Sequence, residues 1–236
     1  PLDAIVETIQ ETIIETKKPA FDSTKLSLNF KAKGDYNVIK SNIVTKKRGF
    51  KTEYNTNKNK AITDASAYLH TTLLNAIVPH WYGTTWEFSG HTNIPNNGEI
   101  ACGYFVSTTL RHLDFKVNRY KMAQQAGMNI AIALQPKNKL KIYSGLDFKA
   151  LKEKLNAVYK NGIYFVGLDN HVGYVLIKDK EIYFLHSSYC DNKVVIELAE
   201  KSPCFRSNLY VFAEITTNNT LVRKWILSEQ LIIPTN

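Results

Sequence analysis

Hydrophobic residues in the first two thirds of the chain recur every three or four positions, the spacing of one face of an α-helix. Ile5, Ile9 and Ile13 are an example near the N-terminus. The pattern predicts helices over Asp3–Thr16, Ala61–Ile77, Arg119–Ala126 and from an Asp147 cap to Asn161, and a helix that begins at or just before Cys102. Between the first two helices, the Lys- and Asn-rich stretch Thr45–Lys60 is expected to be a flexible loop or a solvated hairpin tip.

The last third of the chain has the pattern of strands, with short runs of β-branched and aromatic residues separated by polar turns. These runs are Ile163–Leu168, His171–Ile177, Ile182–His186, Val194–Leu198 and Leu209–Ile215. Short connections favour antiparallel pairing. Helices followed by an antiparallel sheet indicate an α+β fold.

The second and third of these runs bring two histidines together. If Asp179-Lys180 is a two-residue hairpin loop, Lys178 pairs with Glu181 and His186 lies opposite Gly173. His171 and His186 are then diagonal neighbours on one face of the sheet, close enough for their side chains to touch. A slip of one residue would put the rings on opposite faces, and Asp-Lys lacks the glycine that such turns favour.

Composition and charge narrow the classes of partner. The 236 residues carry 30 Lys and Arg against 21 Asp and Glu, a net charge of +9, which favours nucleic acid, an anionic membrane surface or an acidic cell-wall polymer as neighbours. No nucleic-acid-binding signature or phosphate loop is present, and no apolar run reaches the roughly 18 to 20 residues that span a bilayer. We interpret the basic run Lys46-Lys47-Arg48 as solvated surface.

Three cysteines, Cys102, Cys190 and Cys204, have neither a C-x-x-C motif nor zinc-ligand spacing. Cys190 and Cys204 either form a disulfide in an oxidising compartment or stay reduced. A chain that begins at Pro1 and not Met suggests a trimmed chain or a mature form that has lost an export segment.

Cys102 is a candidate nucleophile because it follows a Gly- and Asn-rich loop and opens a predicted helix. The helix dipole and free amides there are expected to lower the pKa of a thiol. Gly103 is expected to leave room for a substrate backbone. The alternative interpretation is a buried, inert cysteine.

A thiol, a histidine at the start of a strand and a polar group on the next strand are the components of cysteine acyl transfer. In that interpretation Cys102 attacks, His171 accepts its proton, and His186 orients His171; Asp169 and Asn170 are alternatives for the orienting role.

These residues resemble a known family. Ala-Cys102-Gly-Tyr-Phe-Val, His171-Val-Gly-Tyr-Val and Phe184-Leu-His186-Ser are similar to the cysteine, histidine and third-residue segments of NlpC/P60 hydrolases, in the papain-like superfamily. The resemblance implies a papain-like fold, catalytic Cys102, His171 and His186, no cofactor or metal, and peptidoglycan stem peptides as substrate outside the cytoplasm. It covers Ile100–Ser188, with Asn118–Gly162 as an insertion. We therefore expect one catalytic domain over residues 1–236, with residues 1–60 as an extension and 80–236 as the core.

Four aromatic residues are candidate substrate-binding residues: Trp81, Tyr82, Trp86 and Tyr104. The competing interpretation is that aromatics just before a core helix are packing residues. Asn96 and Asn97 are weaker candidates to complete an oxyanion hole.

The sequence thus predicts a secreted or periplasmic cysteine peptidase or amidase. Two other functions remain open: a non-catalytic module that binds cell-wall polymer, and a transglutaminase-like acyltransferase that uses the same thiol.

Overall fold

A computed structural model describes residues 30–235 of the chain. The predicted helix Asp3–Thr16 lies outside these residues. The helices are α1 Tyr36–Thr56, α2 Lys58–Thr72, α3 Val78–Trp81, α4 Cys102–His112, α5 Arg119–Ala123, α6 Gly127–Leu134, α7 Phe148–Val158 and α8 Asn219–Leu227. A π-helical turn, Leu73–Ile77, joins α2 to α3, and three short 3-10 turns occupy Lys137–Lys139, Ala199–Lys201 and Pro203–Phe205.

Six strands form one antiparallel sheet in the order β1-β6-β2-β3-β4-β5. The strands are β1 Lys141–Ser144, β2 Gly162–Gly167, β3 Val172–Lys178, β4 Glu181–Ser188, β5 Lys193–Leu198 and β6 Leu209–Glu214. The five predicted strands are all present, and the α+β class is confirmed. The strand β1, the helix α6 and the helix α8 were not predicted.

Helices cover both faces of the sheet, so its central strands are buried on both sides. One face packs against α4 and α6 through side chains such as Phe105 and Ile130. The helix α8 packs on α1 and α2 and adds Trp225 to the same core. The other packs against α7 through Leu151 and Leu155. Asp147 caps α7, as predicted, by accepting a hydrogen bond from the Ala150 amide. The segment Asn118–Gly162 therefore supplies an edge strand and the cover of the second face.

The expectation of a loop over Thr45–Lys60 is wrong, because most of that stretch belongs to α1 and α2. Ile43, Lys47 and Phe50 form the buried stripe of α1. Lys47 is only 4% exposed, so the interpretation of its basic run as solvated surface is also wrong at this position. Its ammonium donates to the backbone oxygen of Asp114 at 2.8 Å and to its carboxylate at 3.0 Å. Because its charge is paired, Lys47 can take a position on the buried face of α1. The hydrophobic pattern does not reveal this face, because one of its members is a lysine.

The helix α1 shares the core of the helices that cover the first face. Phe50 lies 6.0 Å from Trp225 of α8, ring centre to ring centre. The described part of the predicted extension therefore packs on the same hydrophobic cluster as α4 and the sheet. Within residues 30–235, no helix combines the length and the apolar character needed to cross a membrane.

Candidate active site

The β3–β4 hairpin fixes the two histidines. Asp179 and Lys180 both have positive φ, 52° and 68°, as a type I′ two-residue turn requires, and Lys178 pairs with Glu181. The predicted register is therefore confirmed. Nε2 of His171 lies 2.7 Å from Nδ1 of His186, so the rings are hydrogen-bonded on one face of the sheet.

Gly173 makes room for this pair. A Cβ at Gly173 would lie 2.6 Å from the Phe184 ring and 2.9 Å from Cβ of His186. Phe184 stacks on the His186 imidazole with ring centres 3.9 Å apart. The His186 ring is thus held by close packing, and any larger residue at position 173 would displace it.

Glu197 on β5 extends the pair into a chain, and the sequence analysis missed it. Its Oε1 lies 3.2 Å from Nε2 of His186, and both side chains are buried. His186 pairs with Val195 across the two strands, so Glu197 is its diagonal neighbour. The available signal was a single charged residue in the apolar run Val194-Val195-Ile196-Glu197-Leu198.

With Glu197 ionised and His186 neutral, the chain has one arrangement of protons. The carboxylate only accepts hydrogen bonds, so Nε2 of His186 carries the proton and its Nδ1 is an acceptor. Nε2 of His171 must then be the donor to that Nδ1. The remaining nitrogen, Nδ1 of His171, keeps a free lone pair and can act as a base.

Nδ1 of His171 is buried and has no hydrogen-bond partner among the described residues. Burial, and secondarily the neighbouring His186, lowers the pKa of His171 to about 3. The imidazole is therefore neutral near pH 7. A buried acceptor without a partner is costly, and active sites are where such groups concentrate.

Cys102 lies at the first residue of α4, as predicted, after an extended Ala101. Backbone hydrogen bonds at Val172, Gly103 and Cys102 itself lower the pKa of the thiol, but burial raises it by more. The expected fall in pKa is therefore wrong, because desolvation of the thiolate outweighs the amides at the helix start. Both the thiol and His171 are neutral at rest.

The helix that carries the thiol and the imidazole of His171 lie on opposite faces of the sheet, at the start of β3. The helix α4 packs on the face that Tyr174 presents, where the Tyr174 hydroxyl donates to the Val106 carbonyl at 3.0 Å. His171 and Gly173 alternate onto the opposite face. The amide of Val172, the residue after His171, links the two sides, because it contacts the thiol. The sulfur does not hydrogen-bond to Nδ1 of His171.

The alternative orienting residue Asp169 is occupied elsewhere. Its carboxylate accepts hydrogen bonds from the Ser207 hydroxyl at 2.8 Å and from the Asn208 amide at 2.6 Å. These bonds connect the start of β3 to the loop before β6. The structure thus places His186, and not Asp169, against the ring of His171.

Gly103 serves packing and not substrate access. A Cβ there would overlap the carbonyl oxygen of Ala123 on α5. The expectation that Gly103 leaves room for a substrate is therefore wrong. This glycine lets α5 approach the first turn of α4, directly beside the thiol.

Of the four aromatic candidates, Trp81 is buried and the other three are half-buried. Trp81 is fully buried and donates to the Tyr36 hydroxyl at 2.6 Å, so it is a core residue and the expectation that it binds substrate is wrong. Tyr82 stacks on Phe30 at 4.3 Å. Trp86 and Tyr104 are half-buried. The ring centres of Trp86 and Tyr189 are 6.1 Å apart, and those of Tyr189 and His171 are 5.1 Å apart.

Asn96 is also committed to the local structure. Its amide donates to the His80 carbonyl at 2.7 Å, and its own backbone amide donates to the Thr84 hydroxyl at 3.0 Å. These bonds hold the loop before α4 in place.

Cys190 and Cys204 form a disulfide, with their Cα atoms 6.1 Å apart, and Cys102 is a free thiol. Of the two states that the sequence left open, the structure therefore has the bridged one. The bond ties the β4–β5 loop, which carries Tyr189, to the 3-10 turn Pro203–Phe205.

Comparison with known proteins identifies no relative: no family model matches the chain, and neither the curated proteins nor the solved structures give a match. The geometry of the site has to support any functional conclusion without a homologue.

Proposed function

We propose that this protein is a cysteine hydrolase of papain-like α+β architecture that cleaves an amide bond through a thioester intermediate. The observation that carries the proposal is the hydrogen-bonded chain from Glu197 through His186 to His171. It ends on a free nitrogen one residue before the amide that contacts the Cys102 thiol.

In the first half of the reaction, Nδ1 of His171 takes the thiol proton as the sulfur of Cys102 attacks the carbonyl carbon. The carbonyl electrons move to oxygen and return as the C–N bond breaks. The leaving amine takes the proton from Nδ1, and a thioester remains on Cys102. In the second half, a water molecule attacks the thioester and gives a proton to Nδ1 of His171. The C–S bond breaks, and the sulfur of Cys102 takes that proton back from Nδ1.

The start of α4 supplies donors for the negative oxygen of the intermediate. The first hydrogen bond within this helix runs from the Phe105 amide to the Ala101 carbonyl. The amides of the residues before Phe105 therefore have no partner within the helix. Amides of this kind, aimed at developing charge, are the usual form of an oxyanion hole.

The two neutral partners favour general-base catalysis over a preformed thiolate–imidazolium pair. The sulfur has to lose its proton during the attack, and the gap between thiol and imidazole has to close when substrate binds. Catalytic hydrogen bonds are commonly long before substrate binds.

The proposed substrate is the peptide part of bacterial peptidoglycan, outside the cytoplasm. The net charge of +9 suits an anionic wall polymer, and the Cys190–Cys204 disulfide is typical of an oxidising compartment. The resemblance of the Cys102, His171 and His186 segments to NlpC/P60 hydrolases favours the same substrate class.

The test is mass spectrometry of products after incubation with purified peptidoglycan fragments. We expect wild-type protein to release shortened peptides and Cys102→Ser to release none, because an alcohol paired with a weak base is a far poorer nucleophile. Thermal unfolding of the variant should match that of the wild type.

Two results would contradict the proposal. Equal turnover by Cys102→Ser would exclude the thiol. Equal binding of both proteins to wall material, with no product from either, would identify a non-catalytic binding module. A parallel reaction with an added primary amine distinguishes hydrolysis from acyl transfer, because a transferase forms the amine conjugate.

A further inference from the structure

A third side chain lies against the histidine pair on the side of the sheet away from α4. The sulfur of Cys204 and one ring nitrogen each of His171 and His186 all lie within 4.8 Å of one another. All three side chains are buried. Two imidazoles and a thiolate are a ligand set that borderline-soft divalent cations such as Zn²⁺ prefer.

Glu197 provides an outer partner for such a site. A histidine that binds metal through one nitrogen usually donates its other N–H to a carboxylate, which fixes the ring and makes it a better ligand. Nε2 of His186 is 3.2 Å from Oε1 of Glu197, and its Nδ1 faces Nε2 of His171. The hydrogen bond between His186 and Glu197 does not involve Cys204, so it supports a metal site as a separate observation.

The disulfide controls whether the sulfur can bind a cation. While Cys204 is bonded to Cys190, its sulfur is not a thiolate. Cys190 is exposed, whereas Cys204 is 1% exposed. A dithiol reductant can therefore attack the Cys190 sulfur and expel Cys204 as a thiolate. The second thiol of the reductant then releases Cys190, so the reductant is oxidised to a disulfide and both cysteines are reduced.

We propose that reduction of the Cys190–Cys204 disulfide creates a Zn²⁺ site formed by Cys204, His171 and His186. The cation binds the Cys204 sulfur, Nε2 of His171 and Nδ1 of His186, and replaces the hydrogen bond between the rings. The thiol proton of Cys204 passes to solvent. Water completes the tetrahedral coordination.

The cation would also switch off the proposed hydrolase, a consequence that rests on the proposed function. A neutral imidazole that binds metal through Nε2 carries its proton on Nδ1. Nδ1 of His171 then has no lone pair for the Cys102 thiol. The oxidised protein is therefore the active form, and the reduced, zinc-bound protein is inactive.

The test uses Co²⁺ as a spectroscopic probe and two matched variants in a Cys102→Ala background, which removes the one free thiol of the described residues. Cys190→Ser leaves the Cys204 thiol permanently available, and Cys204→Ser leaves the Cys190 thiol in its place. We expect Cys190→Ser to bind one Co²⁺ without reductant and to show thiolate-to-cobalt charge-transfer absorption. Cys204→Ser should show neither.

The Cys102→Ala protein alone serves as a second measurement, in case a serine variant fails to fold. It should bind Co²⁺ after treatment with a dithiol and not before, and Zn²⁺ should displace the cobalt. Adding Glu197→Ala to the Cys190→Ser protein should weaken Zn²⁺ binding about 10- to 100-fold. Equal cobalt binding by the two serine variants, or no binding by the reduced protein, would overturn the proposal.

Activity is measured separately in the Cys190→Ser protein with Cys102 intact. Zn²⁺ should abolish peptide release, and a chelator should restore it. If the protein has no hydrolase activity, the cobalt spectra still decide whether the metal site exists.

Discussion

The candidate site has a base side, formed by His171, His186 and Glu197, and a nucleophile side, formed by Cys102 at the start of α4. Different contacts hold the two sides in place. On the base side, His171 just before β3, His186 of β4 and Glu197 of β5 form consecutive hydrogen bonds of 2.7 Å and 3.2 Å. On the nucleophile side, backbone hydrogen bonds at the start of α4 and the start of β3 contact the thiol. Strand pairing holds the side chains of the base side within hydrogen-bonding distance of one another, whereas the packing of α4 positions the Cys102 thiol.

This difference shows where the site can adjust. The histidine chain is buried and tightly packed, so its geometry is set before substrate arrives. The Cys102 thiol lies at the boundary between helix and sheet, and its distance to His171 depends on how α4 sits at the start of β3. We expect changes on the base side to alter proton transfer, and changes on the nucleophile side to alter access to the sulfur.

The largest effect is expected at Glu197, which is the far end of the base side. Glu197→Ala removes the acceptor that keeps the proton of His186 on Nε2, so the free lone pair on His171 is no longer assured. We expect kcat/KM for peptide release to fall about 100-fold, within the usual range for general-base catalysis. Glu197→Gln should lose less activity than Glu197→Ala, because its side-chain oxygen can still accept the hydrogen bond from His186.

Nitrogen NMR of the imidazole rings provides the readout that a merely structural role would not change. Glu197→Ala should alter the tautomer signals of both histidines, and Glu197→Gln should preserve them. If both variants lose activity equally while the ring signals stay constant, Glu197 acts through stability and not through the proton positions.

The pH dependence of alkylation tests the nucleophile side. Because burial raises the pKa of Cys102, the thiolate fraction increases with pH throughout the neutral range. The rate of modification by iodoacetamide should rise about tenfold per pH unit from about pH 6 to 8. A thiolate–imidazolium pair would instead give a rate that is nearly constant over this range. Cys190 and Cys204 do not interfere while their disulfide is intact.

The sheet and the histidine pair could be predicted because both depend on local pattern. Alternation identified the strands, and a two-residue turn left one simple register for β3 and β4. The contact between His171 and His186 followed by counting. Glu197 obeys the same diagonal rule, but the four residues 189–192 separate β4 from β5 and do not fix a register so simply.

Other features depend on residues far away in the chain. Lys47 interrupts the apolar stripe of α1, and its partner Asp114 lies 67 positions later. The pKa of Cys102 depends on how deeply the helix start is buried, which no sequence pattern near the cysteine records. Local residue spacing therefore predicted the helices, the strands and one strand pairing, but not which polar side chains are buried.

The smallest effects are expected at two glycines, one on each side of the site. Gly173→Ala pushes against Phe184 and His186, and Gly103→Ala pushes against the Ala123 carbonyl. Overpacking costs about 1 to 3 kcal/mol of unfolding free energy, and the better helix propensity of alanine offsets about 1 kcal/mol of this at Gly103. Gly49→Ala on α1 is the control, because nothing lies within 4 Å of its added Cβ, and it should not destabilise the protein.

The two variants should also separate the two sides of the site. Gly173→Ala should shift the imidazole signals of His171 and His186 and leave the alkylation rate of Cys102 nearly unchanged. Gly103→Ala should do the opposite, because it moves the first turn of α4 relative to α5. If either variant changes both readouts to the same extent, thiol and imidazole already form one rigid unit before substrate binds, and no substrate-driven closure is needed.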